Sequence, residues 1–196
     1  ILSLKGMGVW EKIEALQPAI IDRVLITTQA GNCYRGEMPG GGIGLSRYQL
    51  DWTLWAHCES VGVAAIQGFK VQQVAGRLGE GFRVSGGYKD QSPGTFHARL
   101  VIGAFGKRSS LERTLNRRFW RHHHGYIAFK AHFEGIDLQR WVELHSFRGG
   151  YCGLCHIELN VPTRSVGTRI NLCLIVKESV LRSVGANRQR LFDEVL

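Results

Sequence analysis

The second half of the chain alternates. In YIAFKAHFEG (126–135), WVELHSF (141–147), GGYCGLCHIEL (149–159) and RINLCLIV (169–176), apolar positions recur with the two-residue period of a strand. RVLITTQ (23–29) reads the same way, and FKVQQV, GFRVS and TFHARL, broken by glycines within 69–99, read as a small antiparallel meander. Helical signals lie elsewhere. Residues 8–16 look helical ahead of Pro18, and 177–196 close the chain with a helical pattern. The clearest helix follows Ser46. Ser46 and Gln49 have capping-box spacing, Leu50, Leu54, Cys58 and Val61 recur on one face, and Gly62 stands just past the last turn.

Two short apolar runs, VAAI (63–66) and LVI (100–102), are predicted as buried strands of a parallel sheet. The second leads into a glycine turn at Gly103 and Gly106 and a second capping box at Ser109 and Glu112. GEMPGGGIG (36–44) reads as a glycine-rich loop. Parallel-type and antiparallel-type signals together predict a mixed α/β fold, an α/β part interleaved with an antiparallel sheet.

Composition changes the picture little. Hydrophobic residues are 44% and charged residues 21% of 196, an ordinary globular balance with enough chain for a core. No apolar run approaches the ~20 residues of a membrane-spanning helix, and no secretory signal is visible. Five scattered cysteines argue against a disulfide scaffold and for a reducing compartment. The net charge of +9 concentrates in GKRSSLERTLNRRFWRHHH (106–124), where six Lys/Arg meet one acid. A polyanion-binding, non-enzymatic module is therefore one reading, although no nucleic-acid module accompanies the stretch and nucleic acid is disfavoured.

The motif search excludes more than it finds. GMGVWE (6–11) places Glu11 where a dinucleotide fingerprint needs its last glycine, GGGIGL fails the spacing, and GAFGKRSS lacks the first P-loop glycine. The adjacent His122, His123 and His124 suit a solvated loop, and His132, His145 and His156 lie in strands as structural histidines. No metal site is assigned. Cys152, Cys155 and His156 match the C-x-x-C-H attachment pattern of a c-type haem. In a strand, residues three apart face opposite sides, so Cys152 points away from Cys155 and the match looks incidental.

Three segments together resemble the FAD-dependent oxidoreductases that include aromatic-ring monooxygenases, halogenases and geranylgeranyl reductases. They are GIGLSRYQLDWTLWAHCESVGVAAIQG, then ARLVIGAFGKRSSL, similar to the family's G-A-D-G-x-x-S segment, then the run from YIAFKAHFEG through VELHSFRGGYCGLCHIE to NLCLIV. The third is most similar to the geranylgeranyl-reductase-like branch. The resemblance covers nearly the whole chain but the middle of the family's length, without the opening G-x-G-x-x-G unit or the closing Gly-Asp motif. It implies an incomplete FAD-binding Rossmann-like three-layer domain with a β-meander, plus an antiparallel substrate-domain sheet. Residues 1–45 would be a substrate-domain segment, 46–118 the central part of the FAD-binding domain, and 119–196 the substrate-domain sheet and following helices.

The resemblance also implies a chemistry. FAD would be the cofactor and NAD(P)H the electron donor. The substrate would be a small molecule, either an unsaturated isoprenoid-like one that receives hydride or an aromatic one that is hydroxylated. Arg47, Gly103, Ala104 and Gly106 match positions that contact FAD, with Phe105 replacing the family's acid. Tyr151, Gly153 and Cys155 fall on the strand that lines the substrate pocket. No acid–base pair singles out a catalytic residue. A cytoplasmic protein is expected, with peripheral membrane contact left open by the basic balance.

Overall fold

The computed structural model describes residues 1–89, 92–106, 109, 111–112, 115, 124–158 and 169–195. Most of the basic 106–124 stretch lies outside the described residues, including Lys107, Arg108, Arg113, Arg117, Arg118, Arg121, His122 and His123. The chain divides into two compact units, one of residues 1–63 with 125–196, the other of 64–124.

The first unit is built on a six-stranded mixed sheet. Its strands are β1 (Ala19–Thr28), β2 (Cys33–Gly44), β6 (Tyr126–Glu134), β7 (Trp141–Phe147), β8 (Gly150–His156) and β9 (Arg169–Lys177), ordered β2-β1-β7-β8-β9-β6. All neighbours are antiparallel except β1 and β7, which run parallel with Arg23 opposite Trp141 and Thr28 opposite Ser146. Short helices α1 (Leu2–Gly6) and α2 (Trp10–Glu14) precede the sheet, α3 (Arg47–Ser60) follows β2, and α4 (Glu178–Ser183) and α5 (Arg188–Val195) end the described chain.

The alternation in β9 explains the core. Ile170, Leu172, Leu174 and Val176 point to one face and are all buried, the last two completely. Leu181, Val184 and Leu191, from α4 to α5, pack on them with Cys152 of β8. Each such side chain stabilises the fold by about 1.5–3 kcal/mol relative to exposure, so this face is the main source of the unit's stability.

The second unit carries the meander. β3 (Lys70–Arg77), β4 (Gly81–Gly87) and β5 (Gly94–Ala98) form an antiparallel sheet in that order, the arrangement expected from the pattern.

Three expectations are corrected. The glycine-rich 36–44 segment is the second half of β2, because β1 offers it a full antiparallel edge. Its loop character survives as a bulge. Pairing jumps from Arg23–Glu37 to Ile21–Gly42, and Gly40 and Gly41 take φ of +78° and +59°, the left-handed conformation glycine tolerates. VAAI and LVI are not strands. Among the described residues no strand pairs with either, and Val63, Ile66, Leu100 and Ile102 are exposed. The buried stripe of α3 is also rotated from the expected one. Thr53 is its buried centre, with Leu50, Leu54 and His57 half-buried, whereas Cys58 and Val61 are exposed.

Candidate functional site

Sheet register decides which side chains share a face, because directly paired residues point the same way. One row crosses all six strands as Tyr34, Ile26, Leu144, Gly153, Cys173 and Lys130. The row beside it runs Thr28, Ser146, Tyr151, Ile175 and Ala128, and on the other side Val24, Val142, Cys155, Asn171 and His132 follow. Tyr151, Gly153 and Cys155 are thus brought together on the face opposite the α4–α5 core. Tyr34, Ile26, Tyr126 and Tyr151 on this face stay exposed.

Gly153 lies near the middle of this surface. A Cβ there would sit 3.3 Å from Leu144 Cδ2, so glycine keeps the central row low between Leu144 and Cys173. Burial pushes the Cys155 thiol above its ordinary pKa, partly offset by Asn171 and Lys130. It therefore stays a neutral, poorly nucleophilic thiol at neutral pH. The surface offers aromatic, aliphatic and thiol contact around Gly153, with Lys130, His132 and Asn171 as polar groups on the same face.

Cys152 points the other way, into the core, and burial raises its thiol as well, with Cys173 adding a smaller effect. The two cysteines of C-x-x-C-H therefore sit on opposite faces of β8 and cannot converge on one haem or ion without unpairing the strand. Among the described residues no three His, Cys, Asp or Glu side chains are placed to hold a metal ion. His156 is buried beside Cys152's face. Its Nε2 accepts from the Leu138 N–H at 2.8 Å, with Asp137 Oδ1 3.1 Å away.

Also on the core-side face, a hydrogen-bond chain joins Thr27 Oγ1 to His145 Nδ1 at 2.8 Å and His145 Nε2 to Glu143 Oε2 at 3.0 Å. Glu143 and His145 are two apart on one strand, which the alternation of WVELH shows. Their partner Thr27 is 118 residues away and has no local signal. The chain satisfies both imidazole nitrogens, the structural role expected for His145.

The start of α3 is fixed by two acceptors. Ser46 Oγ accepts from the Gln49 N–H at 3.3 Å, and the Ser46 N–H donates to the carboxylate of Glu158, which is 2% exposed. Glu158 does here what the side chain at position N3 of a capping box does in an isolated helix, accepting from the N-cap N–H and bringing negative charge to the helix N-terminus. Gly44 makes this possible. A Cβ on Gly44 would lie 1.7 Å from the His156 carbonyl oxygen, so only glycine lets β2 cross the end of β8 and deliver Ser46 to Glu158.

Arg47 follows in the first turn of α3. Its Nε and Nη2 fork onto the two carboxylate oxygens of Asp51 at 3.2 Å each. Both side chains are more than half exposed, and exposed pairs of this spacing contribute only about 0.3–0.5 kcal/mol. In the second unit, Gly103, Ala104 and Gly106 lie on an exposed segment outside any helix or strand, and Gly106 has φ +66°. A Cβ at Gly103 would meet the Phe105 ring at 2.8 Å, while one at Gly106 would meet nothing within 4 Å. That unit also has an open cleft of about 640 Å³ whose lining includes Arg83, His97, Arg99 and Glu80, the last engaged by Arg77.

No protein-family model matches the chain, and no curated protein matches it either. Solved structures do. The fold is that of flavin-dependent halogenases and a related flavoprotein/dehydrogenase. A triple mutant of the flavin-dependent brominase Bmp2 superposes with a TM-score of 0.76 at 13% identity, over 99% of this chain and 50% of that one. The myxobacterial chondrochloren halogenase CndH, described as a variant of FAD-dependent halogenases, gives 0.72 at 16% identity over 98% and 46%. The flavoprotein/dehydrogenase from Cytophaga hutchinsonii gives 0.70 at 12% identity over 92% and 45%. The chain spans about half the length of these structures.

Taken unit by unit, the chemistry of the residues implied for FAD is compatible with that cofactor. Arg47 has an exposed guanidinium whose present partner is held weakly enough for a phosphate to replace it. The 103–106 backbone carries little side-chain bulk apart from Phe105. The α3 N-terminus, by contrast, is already occupied by Glu158 and does not add a phosphate site.

Proposed function

We propose that this chain is part of an FAD-dependent oxidoreductase and that its six-stranded sheet forms a wall of the substrate pocket. The observation that carries the reading is the fold likeness over 99% of the chain, combined with a sheet face opposite the core on which Tyr34, Ile26, Tyr126 and Tyr151 are exposed. On that face Tyr151 and Cys155 would contact the substrate and Gly153 would give it room. The substrate class is an unsaturated apolar small molecule, isoprenoid-like or aromatic.

FAD, when bound, would supply the redox chemistry, accepting electrons from NAD(P)H. The chain's own part is placement. Arg47 would pair with phosphate oxygen, and Gly103, Ala104 and Gly106 would allow close backbone approach to the cofactor. Tyr151 and the neutral Cys155 thiol would exclude water from the reacting end of the substrate. In domain terms we assign 1–45 and 119–196 to the substrate domain and 46–118 to the central part of the FAD-binding domain, in a cytoplasmic protein.

The test is flavin retention by the full product of the gene. The purified protein is expected to carry flavin absorbance, and Arg47→Ala to reduce flavin affinity about tenfold, with Arg47→Lys intermediate. A full-length product that neither retains nor binds FAD would overturn the reading. Unchanged affinity in Arg47→Ala would remove Arg47 from the site alone.

A further inference from the structure

Away from the face that carries Tyr151 and Cys155, the turn between β7 and β8 meets the junction of β9 and α4. The Lys177 N–H donates to the Gly149 carbonyl at 2.8 Å and ties the two together. Gly149 has φ +92°, and a Cβ there would lie 2.7 Å from Val180 Cγ2, so the turn needs glycine to close down on the helix. The result is a cleft of about 320 Å³ lined by Arg148, Gly149, Lys177, Ser179, Val180 and Ser183. That volume is at the lower end of small-ligand sites.

Two cationic residues, Arg148 and Lys177, are among those lining the cleft. Among the described residues neither Arg148 nor Lys177 forms an ion pair. The nearest acid in sequence, Glu178, pairs with Arg182 and is not part of the lining. Ser183 Oγ already donates to the Val180 carbonyl, so it is wall rather than donor. Ser179 is also in the lining and brings a hydroxyl donor to the same cleft as the guanidinium- and ammonium-bearing residues. Planar guanidinium, point-like ammonium and hydroxyl together match the oxygens of a tetrahedral dianion.

We propose that this cleft binds a phosphate monoester group, with Arg148 and Lys177 as its charge partners and Ser179 as a neutral donor. The site is independent of the flavin reading and lies wholly within the first unit. A phosphate monoester arises from a free metabolite or from a lipid headgroup, and the same chemistry would recognise either.

Calorimetry of the purified chain with glycerol 3-phosphate, beside flotation with phosphatidylcholine vesicles containing phosphatidic acid, separates the sources. Saturable one-to-one binding of the soluble ester assigns a metabolite site. Vesicle binding without it assigns a headgroup site. In either arm Arg148→Ala and Lys177→Ala should each weaken binding about tenfold, and Ser179→Asp should abolish it. Arg182→Ala, which removes an equal charge beside the cleft, should leave binding within twofold. Absence of binding in both arms overturns the proposal, as does an Arg182→Ala loss equal to that of Arg148→Ala, which would mark only the attraction of a basic chain for anions.

Discussion

Asp137 shows how much a single exposed carboxylate can report. The Gln139 N–H donates to its Oδ1 at 2.7 Å and, with a lesser contribution from His156, holds its pKa below the ordinary carboxylate value. A carboxylate lowered on folding stabilises the protein above its unfolded pKa of about 4, and the stabilisation is lost as pH falls through the lower folded value. Asp137→Asn should therefore lower stability at neutral pH and leave the acid side little changed, flattening the acid limb, which urea midpoints from acid to neutral pH would check. The cysteines offer a second residue-scale test. Cys33 and Cys58 are exposed, Cys155 is half-buried with a raised thiol, and Cys152 is buried with a raised thiol. Alkylation followed by mass spectrometry should modify Cys33 and Cys58 first, Cys155 later and Cys152 last. Early labelling of Cys152 would contradict its place in the core. The opposite facing of Cys152 and Cys155 was legible from their spacing alone. The partner that caps α3 was not, because Glu158 is 112 residues from Ser46 and no local pattern links them.

Elements were legible where their partners are present. β6, β7, β8 and β9 follow from alternation because each finds neighbours in one sheet, and β9 shows that alternation directly in its burial. VAAI and LVI have strand-like composition but no strand to pair with among the described residues, and an unpaired run leaves backbone groups to water rather than forming a ladder. β2 failed in the other direction, since glycine and proline signal a loop, yet β1 supplies hydrogen bonds along most of its length. The crossing of β2 over β8 is the element-scale feature most exposed to mutation. Gly44→Ala should destabilise the first unit by about 2 kcal/mol or more, as backbone cannot yield as a side chain can. Glu158→Gln should cost about 1–3 kcal/mol through the lost charged acceptor at α3. Denaturant midpoints measure both, and a neutral Gly44→Ala would show that the crossing is looser than described.

At the scale of the whole molecule, the two units differ in how they are held. In β3 to β5 only Gly86 is buried, whereas β9 alone buries four aliphatic side chains. Few buried apolar contacts mean low local stability. Native-state hydrogen exchange should therefore release the meander amides well before those of β8 and β9, and equal protection would refute the difference. The parallel pairing of β1 with β7 adds a temporal consequence. His145, which pairs with Thr27, is 118 residues further along, beyond the whole second unit. At synthesis rates of about 5–20 residues per second, β1 spends roughly 6–24 seconds outside the ribosome before its inner neighbour exists. Through that interval one edge of the β1–β2 hairpin is an open template for any other strand. Newly made chains of this fold should therefore depend on holding chaperones more than their final stability would suggest.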